Sequence, residues 1–129
     1  MDVTLTPIGF IESTLSNVRD APCQGFRGAP DAWINVDKNF AEGMRDLHVG
    51  DKVIVLTWLH LSDRRVLKVH PQDNKNNPLT SVFATRSADR PNPVGLHPVT
   101  IEEIRKNKIR VTPMEAIDGT PVIDIKPVI

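Results

Sequence analysis

Eight short runs rich in Val and Ile (7–11, 33–36, 52–61, 66–69, 81–84, 98–104, 108–111 and 121–125) alternate with turn-forming residues. That spacing confines the chain to a fold of many short strands, a barrel or a sandwich. Only one stretch has a helical period. After Asp37, placed to cap, Phe40, Met44 and Leu47 recur at four and three residues and Gly50 closes the run, which predicts one short helix. At 129 residues the chain reads as one domain, 1–129, with room for a real core and none for a second domain. No internal repeat or low-complexity tract breaks the pattern.

Between two of these runs lies 84–96, ATRSADRPNPVGL, which is built to hold a shape. Pro91 and Pro93 each fix φ, remove a backbone donor and bias the preceding residue toward extended backbone. Residues 90–93 are therefore a stiff extended or turn segment and cannot be helix interior. Arg86 and Arg90 are planar, permanently charged forks on that backbone. They suit a carboxylate or phosphate held in a pocket, and Gly95 allows close approach; a structural arginine pair in a proline-rich loop is the plainer reading.

The second polar segment is 117–127, IDGTPVIDIKP. Asp118-Gly119 is a strong turn dipeptide, Thr120 adds a hydroxyl and Pro121 stiffens the exit, so backbone N–H groups and a carboxylate are expected at a strand end, able to grip a small polar ligand. Past the turn, Ile123 and Ile125 alternate with Asp124 and Lys126, as in a half-buried strand whose two charges pair. Ile104 and Ile109 flank a hairpin with a basic tip, 105–108. Arg90 with Arg105, Lys106, Lys108 and Arg110 either meets phosphates or is ordinary solvated charge.

Several classes are disfavoured. Sixteen basic and sixteen acidic residues cancel, so no global field points to nucleic acid or to an anionic membrane. There is no GxGxxG, GxxxxGK[ST] or GxSxG motif. His48, His60, His70 and His97 have no zinc-ligand spacing with each other or with Cys23, so no metal is expected. Cys23 reads as a small buried hydrophobe, and as the single cysteine it excludes an internal disulfide framework. His60, between Leu59 and Leu61, is either a half-buried core histidine or a pocket residue. The apolar stretch 53–61 is far shorter than the ~20 residues that cross a bilayer as a helix, and the N-terminus has no signal-peptide pattern. A cytoplasmic protein with no membrane partner is expected.

These two segments, with PIGFIES near the start and APCQG at 21–25, resemble the TsaA-like family, whose members include TrmO-type tRNA methyltransferases. The family pattern has an ATRS-x-x-RPNP-[IV]-GL segment and a DGTPV-x-DIKPY segment, and the resemblance covers most of the chain in the same order. Here Val128 follows Lys126-Pro127 where an aromatic residue is common. Longer bacterial members continue into a further C-terminal domain, whereas the present sequence ends at Ile129.

The resemblance implies an all-β fold, a single small β-barrel that forms a homodimer and binds S-adenosyl-L-methionine without a Rossmann fold. It implies methyl transfer to N6 of a threonylcarbamoylated adenosine beside the anticodon of a tRNA substrate. By the same resemblance the cofactor-binding residues are Pro22, Cys23, Gln24, His60, Leu61, Arg86, Leu96, Asp118, Gly119, Thr120 and Pro121. Arg86 suits the methionine carboxylate, Asp118 an amine or ribose hydroxyl, and Leu61 with Leu96 the adenine faces. Asp118 and, second to it, His60 are the candidate catalytic bases. The rival is a module that binds S-adenosyl-L-methionine or a related adenine ligand without transferring methyl; a purely structural dimer comes last.

Overall fold

A computed structural model describes residues 1–129, the Arg27 side chain excepted. Strands β1 (Gly9–Glu12), β2 (Ala32–Val36), β3 (Lys52–Trp58), β6 (Val94–Arg105), β7 (Lys108–Thr112) and β8 (Pro121–Pro127) close into an antiparallel barrel in the order β1-β2-β7-β6-β3-β8. Strands β4 (Lys68–Val69) and β5 (Thr80–Ser81) form a separate two-stranded ribbon. The expected barrel of short strands is the observed architecture.

Period-two alternation places one face of each barrel strand inward. Ala32, Ile34 and Val36 of β2, Val53 and Val55 of β3, Val99 and Ile101 of β6, Ile109 and Val111 of β7 and Val122 of β8 fill the interior. Each Val and Ile among them contributes roughly 1.5–3 kcal/mol by leaving water. Met44 joins this cluster from the β2–β3 connection, and Met114 and Ala116 join it from the β7–β8 connection.

The expected helix is present as a seven-residue 3₁₀ segment, Lys38–Met44, with the Asp37 carboxylate accepting from Asn39 N–H at 2.8 Å. So short a segment does not repay α-helical nucleation, and its turns close as i→i+3 bonds. Four other expectations shift. The run 52–61 ends as strand at Trp58. The run 66–69 is strand only over Lys68–Val69, and 81–84 is mostly a 3₁₀ turn, Val82–Ala84. Strand β6 begins at Val94, before the expected 98, because its first half pairs with β3 alone and pairing with β7 starts at Thr100. Pro98 lies on that half-open stretch, where a missing N–H is tolerated.

Candidate functional site

Every barrel ladder is antiparallel, so β1, β3 and β7 end, and β2, β6 and β8 begin, at one end of the barrel. The connections 13–31, 59–93 and 113–120 meet there. Pro22, Cys23 and Gln24 lie on the first, His60, Leu61 and Arg86 on the second, and Asp118, Gly119 and Thr120 on the third; Leu96 and Pro121 sit near the starts of β6 and β8. Residues spread over a hundred positions are thus collected at one end. The basic hairpin tip is at the other, down a 12-residue β6 that spans roughly 35–40 Å at ~3.3 Å per residue.

Three sets of contacts shape this end. The Asp118–Gly119 turn, with Gly119 at φ 84°, is sewn to the end of β1. Asp118 N–H donates to Leu15 O, Gly119 N–H to Ile11 O and Thr120 N–H to Ile117 O, at 2.7, 2.7 and 3.2 Å. The Thr120 hydroxyl is buried and also donates to Ile117 O. The turn therefore does not offer the backbone donors or the hydroxyl expected of it. What it presents is the Asp118 carboxylate, of which Oδ1 accepts from Ser13 N–H at 3.0 Å. It is a site of acceptors.

The second set concerns the arginines, and it separates two that look equivalent in sequence. Arg90 spends its guanidinium on its own loop, donating to the carbonyls of Val82, Thr85 and Ser87. It shapes the loop and is not an anion fork, because a guanidinium so occupied has no donor pair to give. Arg86, on the loop so shaped, is exposed and has no hydrogen bond or ion pair among the described residues. The connection is also tied across: Leu59 N–H donates to Pro93 O and Asp63 N–H to Asp89 Oδ1, both at 2.8 Å. The Arg65 guanidinium, hydrogen-bonded to Asp63, holds its carboxyl below the ordinary carboxylate range.

The third set was not singled out in the sequence. Thr57 Oγ1 lies 2.7 Å from His97 Nε2, and His97 Nδ1 meets Glu115 Oε1, all inside the barrel mouth. Thr57 and His97 are 0% and 3% exposed. Glu115 accepts from Nδ1–H, which leaves Nε2 to the threonine hydroxyl. A Cβ on Gly95 would collide with both Thr57 Oγ1 and His97 Nε2, and one on Gly25 would lie 2.7 Å from Glu115 Oε2. The chain Thr57–His97–Glu115 thus runs from beneath the start of β6 to the loop that carries Gln24. Its sequence signal was a polar residue at the inward phase of each of two apolar strands, Val53-Val55-Thr57 and His97-Val99-Ile101.

Other expectations are corrected. Cys23 is exposed, not a buried hydrophobe. His60 is exposed beyond the end of β3, so it is not a core histidine. The basic tip is largely neutralised: Arg105 pairs with Glu103, Lys108 with Glu12, and Arg110 with Asp31 and Glu103. Hydrogen bonding to Asp31 and Glu103 holds the Arg110 guanidinium above its ordinary range. Asp124 and Lys126 do pair, at 3.5 Å. Among the described residues no cluster of His, Cys, Asp and Glu could hold a metal, and no helix is long and apolar enough to cross a membrane. Two open concavities, about 430 and 360 Å3, lie at the end opposite the candidate site.

Fold and site together define a class: a small antiparallel barrel whose loops at one end display a free arginine, a carboxylate turn and exposed leucines. Residues 10–129 match the model of the tRNA-methyltransferase O N-terminal domain, and the chain belongs to that family. It is 48% identical over 97 residues to a probable S-adenosyl-L-methionine-binding protein of Methanocaldococcus jannaschii, covering 72% of this chain and 77% of that one. It is 38% identical to an S-adenosyl-L-methionine-binding protein of Archaeoglobus fulgidus over 95% of this chain and 86% of the relative. The crystal structure of TrmO from Pseudomonas aeruginosa superposes with a TM-score of 0.78 at 27% identity, and a second TrmO crystal structure with 0.79 at 30%. Both cover all of this chain, which spans only 55% and 58% of theirs.

Proposed function

We propose that the chain binds S-adenosyl-L-methionine at this end of the barrel and transfers its methyl group to N6 of a threonylcarbamoylated adenosine beside the anticodon of tRNA. The observation that carries the reading is that one end of the barrel holds both a free cation, Arg86, and a turn that presents a carboxylate, Asp118. A zwitterionic amino acid joined to an adenosine needs a fork for its carboxylate, acceptors for its ammonium and ribose hydroxyls, and apolar faces for its ring. Arg86 is the fork, Asp118 the acceptor, and Leu61 and Leu96, 64% and 39% exposed, the faces. Pro22, Cys23, Gln24, His60, Gly119 and Pro121 border the same end, and Thr120 holds the turn in shape.

The cofactor supplies an electrophilic methyl on a sulfonium. The protein's part is to align it with the target nitrogen, to exclude water, and to accept the proton that nitrogen loses. The second oxygen of Asp118 is free for that proton, and exposed His60 is the alternative. A binding module without transfer is the second reading, favoured by the fact that the sequence relatives are named for binding alone.

Calorimetry with S-adenosylhomocysteine, followed by incubation of labelled S-adenosyl-L-methionine with tRNA bearing or lacking the threonylcarbamoyl group, tests both readings. Heat of binding plus label only in modified tRNA is expected. Heat without label supports the binding module, and no heat at all ends the cofactor reading. Arg86→Ala should weaken binding by about 2 kcal/mol, roughly 30-fold, by leaving a carboxylate unpaired.

A further inference from the structure

The loop that carries Arg86 is held from two sides, and only one holder belongs to it. Arg90 clasps 82–87 from within, while Arg64 reaches in from the stretch that follows His60-Leu61. The Arg64 guanidinium lies 5.1 Å from the Trp58 ring centroid, Nε donates to Pro91 O at 2.7 Å, and Nη2 donates to Asn92 Oδ1 at 3.2 Å. The ring fixes the plane of the fork, so two parallel donors arrive at Pro91-Asn92 already oriented. The prolines make this economical: Pro91 and Pro93 have no N–H and leave few ways to anchor the segment except through its carbonyls and the Asn92 side chain. Trp58 itself stands opposite Val94 at the start of β6, so the strap is seated on the barrel wall.

From this geometry we infer that Arg64 is a positioning residue for the ligand site: it joins the His60-Leu61 stretch and the Arg86 loop into one wall. The inference rests on the proposed cofactor site for its functional consequence, but the strap has a readout of its own. Leu59 N–H and Asp63 N–H donate to Pro93 and Asp89 across the same seam, so their exchange with solvent reports whether the two stretches stay joined. Arg64 is exposed, which leaves the barrel core untouched by its removal.

The test combines amide hydrogen exchange with calorimetric titration of S-adenosylhomocysteine in Arg64→Ala, Arg64→Lys, Asn92→Ala and the Arg64→Ala/Asn92→Ala pair. Expected in Arg64→Ala are exchange at Leu59 and Asp63 about tenfold faster and affinity about tenfold weaker. Asn92→Ala should lose about threefold, the double variant no more than Arg64→Ala alone, and lysine should not restore affinity because it cannot fork. Unchanged exchange overturns the inference, as does faster exchange with affinity within twofold of wild type. If Arg64→Ala does not fold, Asn92→Ala decides by the same two measurements. A wild-type protein that gives no heat overturns the cofactor reading instead, and the exchange rates then decide by themselves whether Arg64 joins the two stretches.

Discussion

Gly95 is the residue on which the barrel mouth turns. It stands opposite Thr57 in the β3–β6 ladder, and its missing side chain leaves the space in which the His97 ring reaches diagonally to the threonine hydroxyl. Gly95→Ala should push that pair apart and strand buried polar groups, lowering unfolding free energy by about 1–3 kcal/mol in urea titrations. The cause can be separated from simple crowding of the strand. Gly95→Ala/Thr57→Ala removes the hydroxyl that the new methyl meets, so part of the loss should return, and a double variant as unstable as the sum of the singles would show that the hydroxyl is not what Gly95 makes room for. The arginines teach the same lesson from the other side. Arg86 and Arg90 occupy similar sequence surroundings, and nothing local distinguishes a spent guanidinium from a free one. The difference is made by the carbonyls of Val82, Thr85 and Ser87, in and just after a 3₁₀ turn, which take up the Arg90 donors.

At the scale of elements, the strands were legible because β-branched runs and turn residues record a pleated, half-buried surface directly. Their ends were not. β6 begins four residues before the expected position, since Pro98 looks like a boundary unless one knows that no strand pairs on its other side there. The clustering of the site at one end of the barrel was likewise invisible, as it follows from the direction of each strand and not from any local pattern. The β6–β7 tip shows the cost of reading charge along the chain alone: Lys108 and Arg110 are answered by Glu12 and Asp31, which are distant in sequence, and Arg105 by nearby Glu103. Arg105→Gln/Lys108→Gln should therefore leave the salt dependence of tRNA binding within about half a unit of slope. A fall of about two units in filter-binding titrations would put the tip on the RNA path after all.

For the molecule as a whole, the exposed apolar residues are the unsolved part of its surface. Phe26, Leu61, Leu67, Leu79 and Phe83 are each more than half exposed, and all lie on connections at the candidate-site end. Single exposed leucines need no explanation, but a group of this size at the site's end offers apolar area to a second copy of the chain. Buried ligands of this size have most of their area removed from water, yet in one chain the candidate residues lie on an open face. A second copy meeting the first at this end would answer both, since a two-fold interface would present the same leucines and phenylalanines to each other and close the face over the ligand. The expected result is a dimer mass by sedimentation at micromolar concentration, with S-adenosylhomocysteine affinity and dimer population falling together on dilution. Leu79→Lys, a change just before the ribbon at an exposed position outside the set of proposed ligand residues, should shift the protein toward monomer and weaken the ligand at least tenfold while leaving its melting transition cooperative. A monomer that keeps full affinity would show that one chain builds the site alone, and would return the exposed phenylalanines to the tRNA or to another partner.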